Sequence, residues 1–398
     1  MPTSLASLPG ASSLAVNGGT PVAPNGVPMI AVKLSEAQID AAVEVMRSGM
    51  LAQGKNVAAL EEQFGAATGA THAIACANGT CALQLAYEIL VEPGDDVLVP
   101  AWSYIATASM LVARGANPIW VDADPVTYCI DVDDAKAKLT PGTTAIAATH
   151  IYGNPVNIAG IERLAIDHGL AVIYDAAQSH LATYDGQGLG GYGDAVTYSF
   201  YATKNMTTGE GGMVTTKDEV TAAALRSVRS HGETQKYVHD RVGFNYRMSD
   251  LEAAVGRHQL ADLPTITERR RANARALDAA LAEIEGVHAP VATDRAEHAY
   301  HLYPARLDPE QFIEPEDDRP IRDVVAEALK AEGIGSAVHY PRSLTRQPVF
   351  EKPGMEHPPV ADHLASTLLC LPVHQHLTEQ QVSQVGDAVQ KVLTALRR

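Results

Sequence analysis

Short runs of consecutive apolar residues alternate along this chain with stretches whose apolar residues recur at helical spacing. Asp96–Pro100 (DVLVP), Pro118–Val121, Thr144–Thr149, Leu170–Tyr174, Ala195–Phe200 and Gly212–Thr215 read as strands. Runs such as LAVIY show no polar alternation, the pattern of strands covered on both faces. Helices are expected at Tyr104–Arg114 before Gly115, at Ile158–His168 before Gly169, and from Asp218 to Ser230. Upstream, Ser35 followed by Gln38 predicts a capped helix in which Ile39, Ala42, Val43 and Met46 share one face, ending near Gly49. This alternation predicts an α/β fold, a mostly parallel sheet flanked by helices. From about Leu260 the texture changes. ITERRRANARALDAALAEI reads as a long charged helix leading to a smaller C-terminal α+β domain, with a Pro-rich acidic loop at Asp308–Asp318. The expected division is a flexible extension over 1–14, a large domain over 15–262 and a small domain over 263–398.

The chain has 398 residues, 47 acidic and 30 basic, for a net charge of −17. Without a basic run, that balance argues against nucleic acid or an anionic membrane as partner. No stretch is long and apolar enough to predict a membrane-spanning helix. The first basic residue is Lys33, so the N-terminus lacks the basic start of a signal peptide. Cys76, Cys81, Cys129 and Cys370 form no CxxC pair, which fits reduced, mostly buried thiols in a cytoplasmic protein. His374 and His376 stand without a Cys or acidic cluster, so no metal site is expected.

Two glycine-rich segments carry no chemistry. Gly188–Gly193 fits G-x-G-x-x-G but leads into a strand, where a dinucleotide motif must open a helix; a glycine turn is expected. The TTGEGG at 207–212 lacks the Lys-Ser/Thr of a P-loop. Three other features are more informative. Asn78-Gly79-Thr80 sits where a strand turns into a helix, a place for a phosphate. Asp175 ends a buried strand, where a carboxylate needs a partner such as a protonated heteroaromatic nitrogen. Lys204 follows an apolar strand, placed to form a Schiff base. Singly, each has a plain structural explanation: a cap, another cap and a solvated lysine. Together, in this order, they fit pyridoxal phosphate, which needs a helix start for its phosphate, an acid for its ring nitrogen and a lysine for its aldehyde.

The blocks NGTCAL (78–83), PAWSYIAT (100–107), PIWVDAD (118–124), THIYGNP (149–155), VIYDAAQSH (172–180), GDAVTYSFYATKNMTTGEGG (193–212), VGFNYRMSDLEAAVG (242–256), HAYHLYP (298–304) and LPVHQHLTEQQ (371–381) occur in that order. In these blocks the chain resembles the DegT/StrS family of pyridoxal-phosphate-dependent sugar aminotransferases, over about residues 15–395. The resemblance implies a fold-type-I transferase with a seven-stranded type of sheet. It implies Lys204 as Schiff-base lysine, Asp175 as partner of the pyridine nitrogen, Gln178 at the cofactor's phenolic oxygen and Trp102 stacked on the ring. Gly79, Thr80 and Ser199 match phosphate binders, and Asn245 matches an asparagine lent across a homodimer interface to the same phosphate. Leu181 stands where the family usually has glycine, and Asn157 where aspartate is common.

The implied reaction is a ping-pong transamination from L-glutamate or L-glutamine to a keto sugar, with a nucleotide-linked 3- or 4-keto-deoxysugar as the expected acceptor. A keto-cyclitol of the scyllo-inosose type is the alternative acceptor. A sugar dehydratase and a non-catalytic sensor are more remote readings of the same scaffold. His180, Arg247, His339 and Tyr340 are candidates to face the substrate, and Arg229, His231, Lys236, His239 and Arg342 are further cations to weigh for a diphosphate.

Overall fold

The computed structural model describes residues 11–315 and 319–398. Residues 1–10 of the expected extension and 316–318 of the expected acidic loop lie outside them. The chain divides into two compact units: Val32–Thr267 with Ala292–Ala299, and a second formed by the chain up to Ala31, Glu268–Val291 and Tyr300–Arg398. The N-terminal segment thus groups with the C-terminal part of the chain, and not with the residues that directly follow it. Leu14, expected in the flexible extension, is fully buried in the second unit's core.

The first unit is built on a seven-stranded sheet. Its strands are β1 (His72–Cys76), β2 (Asp96–Pro100), β3 (Asn117–Val121), β4 (Thr143–Thr149), β5 (Ala171–Asp175), β6 (Ala195–Ser199) and β7 (Gly212–Thr216). Their order is β1-β7-β6-β5-β4-β2-β3. Only β7 runs against the others. Each expected strand is present to within a residue or two at its ends. The helices of this unit are α1 (Glu36–Ser48), α2 (Lys55–Thr68), α3 (Gly79–Leu90), α4 (Ala106–Arg114), α5 (Val132–Ala137), α6 (Ile158–His168) and α7 (Glu219–Arg229). The long charged helix is α8 (Asp250–Leu281), which starts about ten residues before the texture change and passes from the first unit into the second.

Local chemistry sets the ends of these elements. Ser35 and Gln38 form the predicted capping box of α1. The apolar face of α1 differs from expectation: Ile39 is 41 % and Met46 53 % exposed, while Gln38 and Val45 are buried. Gln38 is held by Asp262 and Gln259 of α8, so its amide faces a polar helix side and the aliphatic face of α1 points outward. The Gly188–Gly193 segment is the expected glycine turn. Cβ atoms on Gly188 and Gly190 would lie 2.4 and 2.5 Å from atoms of Thr68, so glycine there permits close packing on the end of α2.

In the second unit a three-stranded antiparallel sheet, β8 (Val287–His288), β9 (Tyr303–Leu307) and β10 (Leu368–Leu371), packs with α9 (Ile321–Ala331), α10 (Pro359–Thr367) and α11 (Glu379–Leu396). Glu332, fully buried after α9, accepts hydrogen bonds from the Ala15 and Val22 amides (2.8 and 3.0 Å) and from Lys391 Nζ at 2.8 Å. This one carboxylate ties the N-terminal segment to the unit. No helix among the described residues is long and apolar enough to cross a membrane.

Candidate active site

All the elements of the site lie in the first unit, at the ends of strands that run in one direction. Asp175 is the last residue of β5 and is 5 % exposed. Its carboxylate accepts a hydrogen bond from the Thr107 hydroxyl at 2.7 Å and from the Ala177 amide at 3.1 Å. Burial pushes this carboxyl above the usual carboxylate range, while those two donors and the charge of Lys204 pull it back. Lys204 follows β6 in a turn closed by its own amide to the Tyr201 carbonyl, at 2.9 Å. Desolvation lowers its ammonium to about 8, opposed by the charge of Asp175. A sizeable fraction of this amine is therefore unprotonated and nucleophilic near neutral pH, which an exposed lysine is not.

The third feature is the start of α3. Asn78 caps the helix by accepting the Cys81 amide at 2.8 Å. The amides of Gly79 and Thr80 have no acceptor within the helix, as in any first turn, and the helix dipole favours an anion in front of them. A Cβ on Gly79 would lie 2.6 Å from the Cβ of Ser199, so only glycine brings this turn against the Ser199 hydroxyl at the end of β6. A buried carboxylate, a lysine of depressed pKa and an anion cradle thus share one edge of one sheet.

The model of the DegT/DnrJ/EryC1/StrS aminotransferase family matches residues 32–390. The chain belongs to this family. Among curated relatives, UDP-N-acetyl-3-dehydro-alpha-D-glucosamine 3-aminotransferase of Acidithiobacillus ferrooxidans is 36 % identical over 342 residues, 85 % of this chain and 89 % of that one. The dTDP-3-amino-3,4,6-trideoxy-alpha-D-glucose transaminase of Streptomyces venezuelae is 34 % identical, covering 89 % and 92 %. Among solved structures, S. venezuelae DesV in complex with a ketimine intermediate superposes with a TM-score of 0.85 at 32 % identity, covering 92 % of this chain and 99 % of that one.

This member of the family is a pyridoxal-phosphate-dependent aminotransferase of fold type I. Its residues fit the cofactor: a cradle that a Cβ at 79 would fill, an amine brought to about 8, and a carboxylate at the end of a buried strand. Trp102, 1 % exposed, donates its indole N–H to the Tyr152 hydroxyl at 3.0 Å, which fixes the plane of its ring. Gln178 accepts the Tyr152 amide at 2.7 Å through Oε1, which identifies its NH₂ as the donor end. Asn245 is exposed on its own chain, and its backbone bridges to Ser230.

The remaining candidates separate. Arg247 is half-buried in the first unit. His339 and Tyr340 belong to the second unit. His180 is fully buried, with the rings of Tyr198 and Phe200 at 6.0 and 5.8 Å. Arg229 is a structural ion: its guanidinium holds Glu61 at 2.7 Å and the Ala75 carbonyl at 2.9 Å. Leu181, at the family's usual glycine position, adopts φ 53°, the left-handed region that favours glycine. Asn157 caps α6 by accepting the Gly160 amide, a task aspartate performs equally well.

The sequence reading missed Thr107, Ser103, Thr149 and Tyr152. The available signal was the pair of hydroxyl residues four apart at the end of PAWSYIAT, beyond a buried strand. Cleft size is no guide here. A cleft of about 790 Å³ is lined by Met50, Leu51, Asp250, Arg257 and His258 among others, and by none of the cofactor residues.

Proposed function

We propose that this enzyme moves an amino group from L-glutamate or L-glutamine to a nucleotide-linked 3- or 4-keto-deoxysugar. The observation that carries the chemistry is the joint placement of Asp175, Lys204 and the Gly79–Ser199 cradle on one sheet edge. The sugar is supported by the two curated relatives, whose names carry UDP- and dTDP-linked sugars aminated at carbon 3. Those names favour a nucleotide sugar over a keto-cyclitol.

When bound, pyridoxal phosphate supplies an electron sink for the pair left by breaking a C–H bond. The chain's residues do the rest. The Gly79 and Thr80 amides with the Ser199 hydroxyl hold the phosphate, and Trp102 and Gln178 orient the ring. Asp175 keeps the ring nitrogen protonated. Lys204 Nζ would anchor the cofactor, and its free amine would take the proton from the donor's α-carbon and return one to the acceptor carbon. Arg247, His339 and Tyr340 stay the candidates for the acceptor. We place the enzyme in the cytoplasm, in keeping with its four free cysteines.

The working unit is a homodimer in which Asn245 completes the partner's phosphate site. Its exposure on its own chain and the exposed Met46, Met50 and Leu51 of the same unit support a covered face.

The test is the visible absorbance of the purified protein with pyridoxal phosphate, before and after L-glutamate. Conversion to the pyridoxamine form, reversed by a nucleotide-linked keto sugar and not by scyllo-inosose, is expected. A band inert to glutamate, glutamine and alanine overturns the reading. For the dimer, Lys204→Ala and Asn245→Ala are each expected to be nearly inactive. Mixing them after dissociation restores turnover, because half of the sites in a mixed dimer are intact. No recovery excludes the lent asparagine.

A further inference from the structure

We propose that a buried chain of three hydroxyls, Thr149–Ser103–Thr107, forms a positioning device that keeps the Asp175 carboxylate charged for the cofactor's ring nitrogen. The inference deepens the assignment of Asp175 above and rests on it.

All four side chains lie within the first unit and are almost fully buried, between 0 and 5 % exposed. Thr107, in the first turn of α4, bonds Asp175 at 2.7 Å. Ser103, four residues earlier, lies 2.9 Å from Thr107 Oγ1 and 2.9 Å from Thr149 Oγ1. Thr149 ends β4 and pairs in register with Asp175 at the end of β5, so the sheet itself sets the last hydroxyl beside the carboxylate's strand. Tyr87 of α3 fixes the other side of Thr107, donating its phenol to the Thr107 carbonyl at 2.8 Å.

Proton counting gives this chain a direction. Each hydroxyl has one proton and can accept others. An ionised Asp175 only accepts, so Thr107 spends its proton on Asp175. Ser103 then donates to Thr107, and Thr149 donates to Ser103. The longer contact of 3.5 Å between Thr107 and Thr149 allows the order Ser103–Thr149–Thr107, which ends at the same carboxylate. Either way three dipoles point at one anion, and each polarises the next.

The other groups around Asp175 do not replace this chain. The Ala177 amide donates to the second carboxylate oxygen. Among the described residues Lys204 is the cation that acts on it, and Tyr87 is held neutral by burial next to it. His150, whose amide bonds the Asp175 carbonyl, has its imidazole lowered to about 3 by burial and is neutral. Packing alone does not call for hydroxyls at 103 and 149. Alanine and valine would fill those sites without a polar group to satisfy.

The test uses the holoenzyme with ¹⁵N-labelled pyridoxal phosphate and follows the ring-nitrogen chemical shift against pH. In Ser103→Ala and Thr149→Val the protonated fraction is expected to fall at a pH about one unit lower than in the unsubstituted enzyme. Thr107→Val is expected to shift further and to weaken cofactor retention about tenfold or more. Thr107→Ser, which keeps the donor, is expected to restore both. If Thr107→Val does not fold, the two distal variants decide. Titrations of Ser103→Ala and Thr149→Val that superimpose on the unsubstituted enzyme overturn the proposal. An unsubstituted enzyme that shows no protonated ring nitrogen overturns the Asp175 assignment instead, and that outcome is distinguishable because it appears before any substitution.

Discussion

Asp175 in the first compact unit and Glu332 in the second are both buried carboxylates at pivotal places, and the two are handled in opposite ways. Glu332 is saturated by partners of its own unit: two backbone amides and Lys391 at 2.8 Å. Asp175 receives one hydroxyl and one amide, and burial leaves it above its usual range. A buried charge that is fully paired closes a structure. One that is held charged with acceptor capacity to spare is prepared for something that arrives from outside. The difference separates a clamp from a site, and substitution separates them further.

The largest expected effect is at Asp175. Asp175→Asn keeps size and removes the charge. Turnover is expected to fall on the order of a thousandfold, about 4 kcal/mol of transition-state stabilisation. The thermal midpoint is expected to stay level or rise, because an incompletely paired buried charge has been removed. A loss of stability without a loss of turnover would make Asp175 a second clamp.

Glu332→Ala is expected to do the reverse. It leaves two amides and Lys391 without their shared acceptor, at a cost of about 3–5 kcal/mol in urea unfolding. The protein that remains folded is expected to keep kcat/KM within about twofold. Proteolysis at the N-terminal segment before global unfolding would show that the clamp is local.

The lysines repeat the contrast and add a pH dependence. Lys391 is closed in an ion pair with Glu332. Lys204 is brought down to about 8 from the usual 10.5, chiefly by desolvation. Between those two values the unfolded chain binds a proton that the folded chain does not, so stability rises with pH across that window. Without cofactor, the unfolding free energy of the unsubstituted protein minus that of Lys204→Met is expected to climb by about 2 kcal/mol from pH 8 to 10.5 and to be flat below. A flat difference throughout would mean an ordinary ammonium at Lys204.

The sheet was legible in the sequence because its strands are uninterrupted apolar runs ended by turn residues. The cradle, acid and lysine were legible because each sits where a buried strand ends. What could not be read was long-range pairing. The aliphatic face of α1 looked like a core face, but Gln38 finds partners on α8, more than two hundred residues away, and turns that face outward. Leu14 was read as part of a flexible extension, but it lies in the second core beside Ala15, whose amide bonds Glu332 more than three hundred residues later. His180 stood in a motif, and only the fold brings its ring to those of Phe200 and Tyr198. The hydroxyls around Asp175 were in quoted blocks, but only sheet register and the first turn of α4 bring them together.

Two glycines carry the contrast between clamp and site to its smallest scale. Gly333, at φ 87°, follows the Glu332 clamp, and a Cβ there would lie 1.9 Å from the Ala23 carbonyl oxygen. Its own carbonyl receives the Val27 amide at 2.8 Å, so it serves the N-terminal segment. Gly79 makes its close approach to Ser199, in front of the helix amides proposed above to hold the cofactor's phosphate. Gly333→Ala meets backbone and has nowhere to go, so stability falls. Gly79→Ala sets its Cβ 2.6 Å from the Ser199 Cβ, so α3 and β6 must move apart by about 1 Å, at about 1–3 kcal/mol. That movement widens the cradle, and the dissociation constant of pyridoxal phosphate is expected to rise about tenfold, equivalent to about 1.4 kcal/mol. Gly79→Ala/Ser199→Gly removes the clash without restoring the hydroxyl, and is expected to recover the lost stability but not the affinity. Recovery of both would show that the glycine serves packing alone and that Ser199 does not hold the phosphate.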